Sequence, residues 1–196
     1  KVIRNSVNMG PSYSRNTGWD NASGELVAFL DANDRWKQNK LAVQASFMTS
    51  NAQYALTGHL NNFQKVTESR EITFVDLLHQ NTVQTSSIMI QRDIPVRFDP
   101  AMKYCEDHNF LIEVAYNYKI YFLGMVLGFL ERPQLSPGGL SNNILEMRKG
   151  QLRIYVSQYK KHRIGLIKLI FMCTRSMAAH LLKLCSRFRE TTGASS

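Results

Sequence analysis

Apolar positions along the chain follow two regimes, one up to about residue 140 and one beyond it. In the first, short apolar runs alternate with amphipathic stretches. Glu25-Leu-Val-Ala-Phe-Leu30 reads as a buried strand, because five consecutive apolar residues follow a turn signal and stop abruptly at Asp31-Ala-Asn-Asp34. Ahead of it, Asn5 to Gly10 is a polar turn, and a short helix from Ser12 through Tyr13, Asn16 and Trp19 is expected to run to Gly24. Downstream, Leu41, Val43, Ala45, Phe47 and Met48 predict the apolar face of a helix, and Tyr54–Thr57 with Phe63–Val66 a pair of short strands. Ile72–Leu78 predicts another helix and Ser87–Gln91 another strand. A helix from about Glu106 to Tyr116 puts Phe110, Leu111, Val114 and Ala115 on one face, and Ile120–Leu130 returns to strand character.

The second regime follows the break at Pro133 to Gly139. From Ser141 to Phe188 the period is helical, with Gly150 and Gly165 as expected interruptions. The pattern therefore predicts an α/β domain over residues 1–140 followed by a helical tail over 141–190.

At 196 residues with 44% hydrophobic content, the chain can bury a real core, which excludes disorder. It opens on Lys1-Val-Ile-Arg4, with no initiator Met and no apolar leader ahead of the first elements, so its start is expected to be missing. Three widely spaced cysteines, Cys105, Cys173 and Cys185, form no Cys-x-x-Cys pair and fit a reducing compartment. The histidines are scattered singly, as core or surface residues are.

The net charge of +9 changes the picture because it is so uneven. Residues 1–147 carry 13 Lys/Arg against 14 Asp/Glu, whereas residues 148–189 carry 11 against none. Lys168, Arg175 and Lys183 interrupt the apolar runs of the tail well short of the ~20 residues that cross a bilayer. A basic helix with aliphatic and aromatic residues opposite its charges fits binding in the plane of an anionic membrane surface. The same pattern fits a helix packed on the preceding domain, or on a second chain, with its charges solvated. No zinc-finger spacing, helix-turn-helix pattern or ribonucleoprotein aromatic motif accompanies the charge, so nucleic acid is not an expected partner.

The acidic cluster at the end of the first strand lies where open α/β sheets bind ligands, although alone it fits a solvated loop as well as a metal site. The wider pattern is more specific. Asn8-x-Gly10-x4-Arg15-Asn16-x-Gly18, Ala22-Ser-Gly24-Glu25, Phe29-Leu30-Asp31-x-x-Asp34-x-Trp36 and Lys40-Leu41-x2-Gln44 together resemble the central stretch of family 2 glycosyltransferases of the GT-A fold. Asn81-x3-Thr85-Ser86-Ser87, Phe98-Asp99 and Cys105-Glu106-Asp107 resemble that family's acceptor-side strand and its Glu-Asp catalytic motif. The resemblance covers residues 1 to about 150.

It implies a partial GT-A fold, a mixed sheet flanked by helices with a C-terminal basic helical extension. It implies transfer, with inversion, of a sugar from a nucleotide-diphosphate donor to a hydroxyl of a glycan or lipid-linked acceptor of the cell surface. The enzyme would then be cytoplasmic and peripheral at the inner face of the membrane. By the same resemblance Asp107 is the base and Glu106 its neighbour, Arg15, Asp31 and Arg132 lie beside the donor, and Asn33 and Asp34 hold a divalent cation, Mn2+ or Mg2+. Asn33 stands where the family has a carboxylate; an amide oxygen can ligate a hard cation but supplies no charge. The Ser136–Ser141 stretch reads as a loop closing over bound donor or as an ordinary linker. Family members also open with ~80 to ~100 residues that grip the nucleotide, a half-domain that this sequence lacks. A second reading, a non-catalytic membrane- or partner-binding fragment of such a protein, therefore stays open.

Overall fold

The structure is a computed structural model, and it describes residues 1–132 and 143–193, with side chains described as far as residue 179. The chain divides into two compact units, Lys1–Gln134 and Leu135–Ser196. The expected Ser136–Ser141 loop lies outside the described residues, as do the side chains of Leu181, Leu182, Lys183 and Leu184.

In the first unit, six strands form one mixed sheet: β1 (Leu26–Ala28), β2 (Arg35–Trp36), β3 (Tyr54–Asn61), β4 (Arg70–Ile72), β5 (Met89–Gln91) and β6 (Lys119–Phe129). Their spatial order is β1-β5-β3-β6-β2, with β4 also paired to β6. Only β3 and β6 are parallel; every other pairing is antiparallel. Among the described residues β1 is an edge strand, paired with β5 on one side. Helices α1 (Gly10–Asp20), α2 (Lys40–Ser50), α3 (Phe74–His79) and α4 (Glu106–Asn117) complete the unit.

Four aromatic rings pin the first part of the chain to α4. Trp19 meets Phe29 and Phe110 edge-on at 5.5 and 5.9 Å, Phe29 meets Phe98 at 5.3 Å, and Phe98 stacks on Phe110 at 4.1 Å. Such pairs add about 0.5–1.5 kcal/mol each beyond their buried area.

Several sequence expectations are corrected. The run Glu25–Leu30 is not buried on both faces: Val27 and Phe29 are in the core, their neighbours Leu26 and Ala28 are only partly buried, and Leu30, beyond the end of β1, is exposed. β3 runs on from Thr57 to Asn61, and Phe63–Val66 is not a strand. Its polar residues are tolerated because they find partners. Thr57 accepts from Gln44, Asn61 donates to Gln64, and His59 Nδ1 faces the Leu60 carbonyl. In α2 the buried face is Lys40, Gln44 and Met48, spaced i, i+4, i+8, while Leu41 is half exposed. Gln44 Nε2 reaches the carbonyls of Thr57 and Ser87, tying α2 to the sheet.

The second unit comprises α5 (Ile144–Lys160) and α6 (Leu166–Gly193). α5 runs unbroken through the buried Gly150, contrary to the expected interruption. The turn between the helices is made by His162, in the left-handed region at φ 56°, directly after the Lys161 cap. Among the described residues no helix is long and apolar enough to cross a membrane.

Candidate active site

α1 is fixed so that Arg15 has one direction to face. Asn16 exchanges two hydrogen bonds with the backbone of Phe98, and Trp19 Nε1 donates to the Arg92 carbonyl. Arg15 then extends past the Phe98 ring, 5.4 Å from its centroid, and its two terminal nitrogens divide between carboxylates. Nη2 lies 3.0 Å from Asp31 Oδ1, and Nη1 lies 3.0 Å from Glu106 Oε1. A single guanidinium thus joins the loop after β1 to the start of α4. Burial opposes its charge, but Asp31 and Glu106 outweigh burial and hold Arg15 above its ordinary pKa. Glu106 moves upward, chiefly through burial and next through the like charge of Asp107, with Arg15 pulling the other way.

The start of α4 is strained. Cys105, its N-cap, adopts φ 59° although it is not glycine, directly before Glu106 and Asp107. Asp107 is half-buried, and its Oδ2 accepts a 3.1 Å hydrogen bond from Asn81 Nδ2. The orientation of Asn81 follows from its other end, where Oδ1 accepts from the Val83 N–H, so the amide NH2 must face the carboxylate. Among the described residues no hydrogen bond reaches Asp107 Oδ1. Next in sequence, His108 is buried with Nε2 2.6 Å from the Leu77 carbonyl, which anchors α4 to α3. Burial lowers its pKa and keeps the ring neutral.

The acidic loop is built around Ser86. Its Oγ accepts from the Asp31 N–H at 3.0 Å and donates to Asp34 Oδ2 at 2.5 Å, while its carbonyl accepts from Trp36 Nε1. Asp34 Oδ1 accepts from the Glu131 N–H at 3.3 Å, which brings the chain leading to Arg132 against the loop. Asp31, Asn33 and Arg132 are exposed. A cleft of about 540 Å3 between α1 and β1 has Arg15 and Asp31 among its walls.

For a divalent cation the residues fit in one sense. Among the described residues no group of three or more His, Cys, Asp or Glu side chains converges into a cage. Asp31 is engaged by Arg15, so the loop itself offers the Asn33 amide and the unused lone pairs of Asp34. One carboxylate and one amide suit a cation that takes its remaining ligands from substrate phosphate and water.

The arrangement therefore brings Arg15, Asp31 and Glu106 into one contact and Asp107 next to it, and it holds Asp34 on a neighbouring support. It does not bring Asn33 or Arg132 to a described partner. Sequence reasoning missed Asn81 as the donor to Asp107, although the residue lies in a motif singled out there, and missed Ser86 as the support of the acidic loop. It also missed His59 and the burial of Lys40. Lys40 is buried with Nζ 3.8 Å from the Trp36 ring centroid.

The chain is similar to known proteins over most of its length. The sequence model described as "Glycosyl transferase family 2" matches residues 1–120. An uncharacterized glycosyltransferase of Haemophilus influenzae is 26% identical over 181 residues, 87% of this chain and 70% of that one. The UDP-Glc:alpha-D-GlcNAc-diphosphoundecaprenol beta-1,3-glucosyltransferase WfgD of Escherichia coli is 26% identical over 158 residues, 77% of this chain and 62% of WfgD. Residues 1–349 of S. aureus TarS superpose with a TM-score of 0.58 at 19% identity, covering 80% of this chain and 47% of TarS. The TarS likeness shows the fold, the α/β GT-A arrangement of a mixed sheet flanked by helices. The chain spans between about half and 70% of the length of these relatives.

Proposed function

The chain belongs to glycosyl transferase family 2, and from that premise we propose that it serves an inverting transfer of a sugar from a nucleotide-diphosphate donor to a hydroxyl of a lipid-linked surface glycan. The observation that carries this reading is the Arg15 bridge, which binds Asp31 on the acidic loop and Glu106 beside Asp107 at 3.0 Å each. In the proposed reaction Asp107 takes the proton from the acceptor hydroxyl. The freed oxygen attacks the anomeric carbon opposite the leaving group, and the bond to the diphosphate breaks. Arg15 and Arg132 offset the negative charge that develops on the diphosphate. Asn33 and Asp34 would hold the divalent cation; when bound, it neutralises phosphate charge.

The acceptor class rests on WfgD, whose name specifies a diphosphoundecaprenol-linked sugar. An acceptor of that kind agrees with the membrane reading of the tail, docking on the anionic cytoplasmic face of a membrane. α6 exposes Leu166, Ile167, Ile170 and Phe171, and Lys160, Lys161 and Arg175 are exposed in the same unit.

The test is donor hydrolysis by the full-length protein across a panel of nucleotide sugars, with and without manganese, with a GlcNAc-diphospholipid as added acceptor. Release of nucleotide diphosphate from one donor, lost in Asp107→Asn, supports the reading. A folded protein that releases none from any donor overturns it in favour of a non-catalytic, membrane-associated domain.

A further inference from the structure

Ser86 sits, 5% exposed, in the 3-10 turn Thr85–Ser87 that leads into β5. The turn is fixed by its own surroundings. The Ser87 N–H and Oγ both donate to the Gln84 carbonyl, at 2.9 and 2.7 Å, and Gln44 Nε2 of α2 donates to the Ser87 carbonyl at 3.0 Å. Val83, just ahead, is fully buried, and a Cβ on Gly58 of β3 would come within 2.6 Å of its Cγ1. Asp31, Ala32 and Asn33, by contrast, are exposed. Where an exposed loop meets a packed turn, the turn sets the position of the loop.

The direction of the Ser86 hydroxyl follows from its partners. Oγ accepts from the Asp31 N–H at 3.0 Å, and a carboxylate only accepts, so the single hydroxyl proton points at Asp34 Oδ2, 2.5 Å away. The Ser86 carbonyl adds a third tie, accepting from Trp36 Nε1 at 2.7 Å, and Lys40 Nζ lies 3.8 Å from the centroid of that ring. One residue thus holds the acidic loop at its start, its middle and its end. The other bond to this carboxylate, from the Glu131 N–H to Oδ1, is longer at 3.3 Å. A short hydrogen bond to a charged oxygen is the stronger restraint, so Ser86 governs how Asp34 is turned.

We propose that Ser86 is the positioning residue of the cation site, its hydroxyl fixing the Asp34 carboxylate in the orientation that binds the metal ion. This rests on the cation-assisted transfer described above. Asn33, one position earlier, is neutral, so Asp34 brings the charge that the amide does not supply, and a freely turning Asp34 would hold the ion less well. Removing a support of this kind weakens metal binding about 10–100-fold.

The experiment follows the Trp36 indole N–H in 1H–15N spectra of the full chain as Mn2+ alone is added, the signal being assigned by its loss in Trp36→Phe. This N–H is bound to the Ser86 backbone carbonyl, which every Ser86 variant retains, so the reporter survives the substitutions. In the unaltered chain the paramagnetic ion broadens the signal saturably. Ser86→Ala needs about tenfold more Mn2+ for half-broadening, whereas Ser86→Thr, which keeps the hydroxyl, stays within about threefold. Equal losses in the two variants would leave Ser86 a packing role only and overturn the proposal, as would unchanged Mn2+ affinity in Ser86→Ala. If Ser86→Ala does not fold, Asp34→Asn at a half-buried position decides: it keeps the shape but removes the charge, so saturable broadening is lost, and its persistence overturns the proposal. No broadening in the unaltered chain, with donor hydrolysis intact, overturns the cation site together with its support and leaves the transferase reading standing. Saturable, Ser86-dependent broadening without hydrolysis of any donor supports the positioning role and overturns the transferase reading.

Discussion

Because Arg15 holds two carboxylates at once, it fixes the separation of the loop after β1 and the start of α4. Asp107 is left with one oxygen bound to Asn81 and one open. Asp107→Asn should therefore reduce turnover by at least about a hundredfold, the lower range of what a positioned base contributes, as read from nucleotide diphosphate release. Asn81→Ala removes a hydrogen bond to a charged group, worth about 1.5–3 kcal/mol. It should lower kcat by about tenfold or more while leaving donor KM nearly unchanged, and a normal kcat would show that Asn81 does not position the carboxylate. Arg15, Asp31, Glu106 and Asp107 were legible in the sequence because each belongs to a spaced motif. His59 and Lys40 were not, since a polar residue inside a strand or on a helix face announces no burial until the sheet closes over it.

Helices that carry their own punctuation were legible as elements. α4 and β6 fall within a residue or two of their expected ends, and α3 begins at the Thr73–Asp76 capping box. The buried face of α2 was not legible, because Lys40 and Gln44 occupy it and their partners come from β3 and the turn at Ser87. Burial drives Lys40 down to about 7, while the Trp36 ring and the Ile88 carbonyl, 3.5 Å away, favour the charged form. The unfolded chain then binds more protons than the folded one between about 7 and 10.5, so stability should rise with pH across that window. The slope should reach at most about 1.4 kcal/mol per pH unit, and Lys40→Met should flatten it in urea titrations. His59, held down to about 4, and His108, lowered in the same direction, make stability rise with pH below 6.5 as well. In β6, a Cβ on Gly124 would meet the Thr67 carbonyl oxygen at 2.1 Å and the Glu68–Ser69 backbone at 2.9 Å. Backbone cannot swing aside as a side chain can, so Gly124→Ala should cost about 3 kcal/mol or more and lower Tm clearly.

For the whole molecule, the sequence separated a near-neutral body from a basic helical tail, and the structure resolves that tail into two helices with an apolar stripe on α6. Which residues would form the stripe depended on where the α5–α6 turn fell: the break ends at Gly165, as expected, with His162 in the left-handed region within it, whereas Gly150 makes no break. On the membrane reading, the full chain should sediment with phosphatidylglycerol vesicles and less so as salt rises. Deleting residues 148–189 should abolish this, and replacing Ile167 and Phe171 by Asp should weaken it strongly. Unchanged sedimentation of the deletion would remove the tail as the anchor.

β1 offers a complete backbone face to β5 and nothing to its other side among the described residues. A strand in that position is a template: its free N–H and C=O groups will accept any extended segment presented to them, from another part of a longer polypeptide or from a neighbouring molecule. Leu26–Ala28 is short, which limits how firmly two copies can join, but at the concentrations used for crystallisation even a weak edge can seed polymers. Whether this polypeptide behaves as a monomer in the test tube thus depends on what covers those three residues.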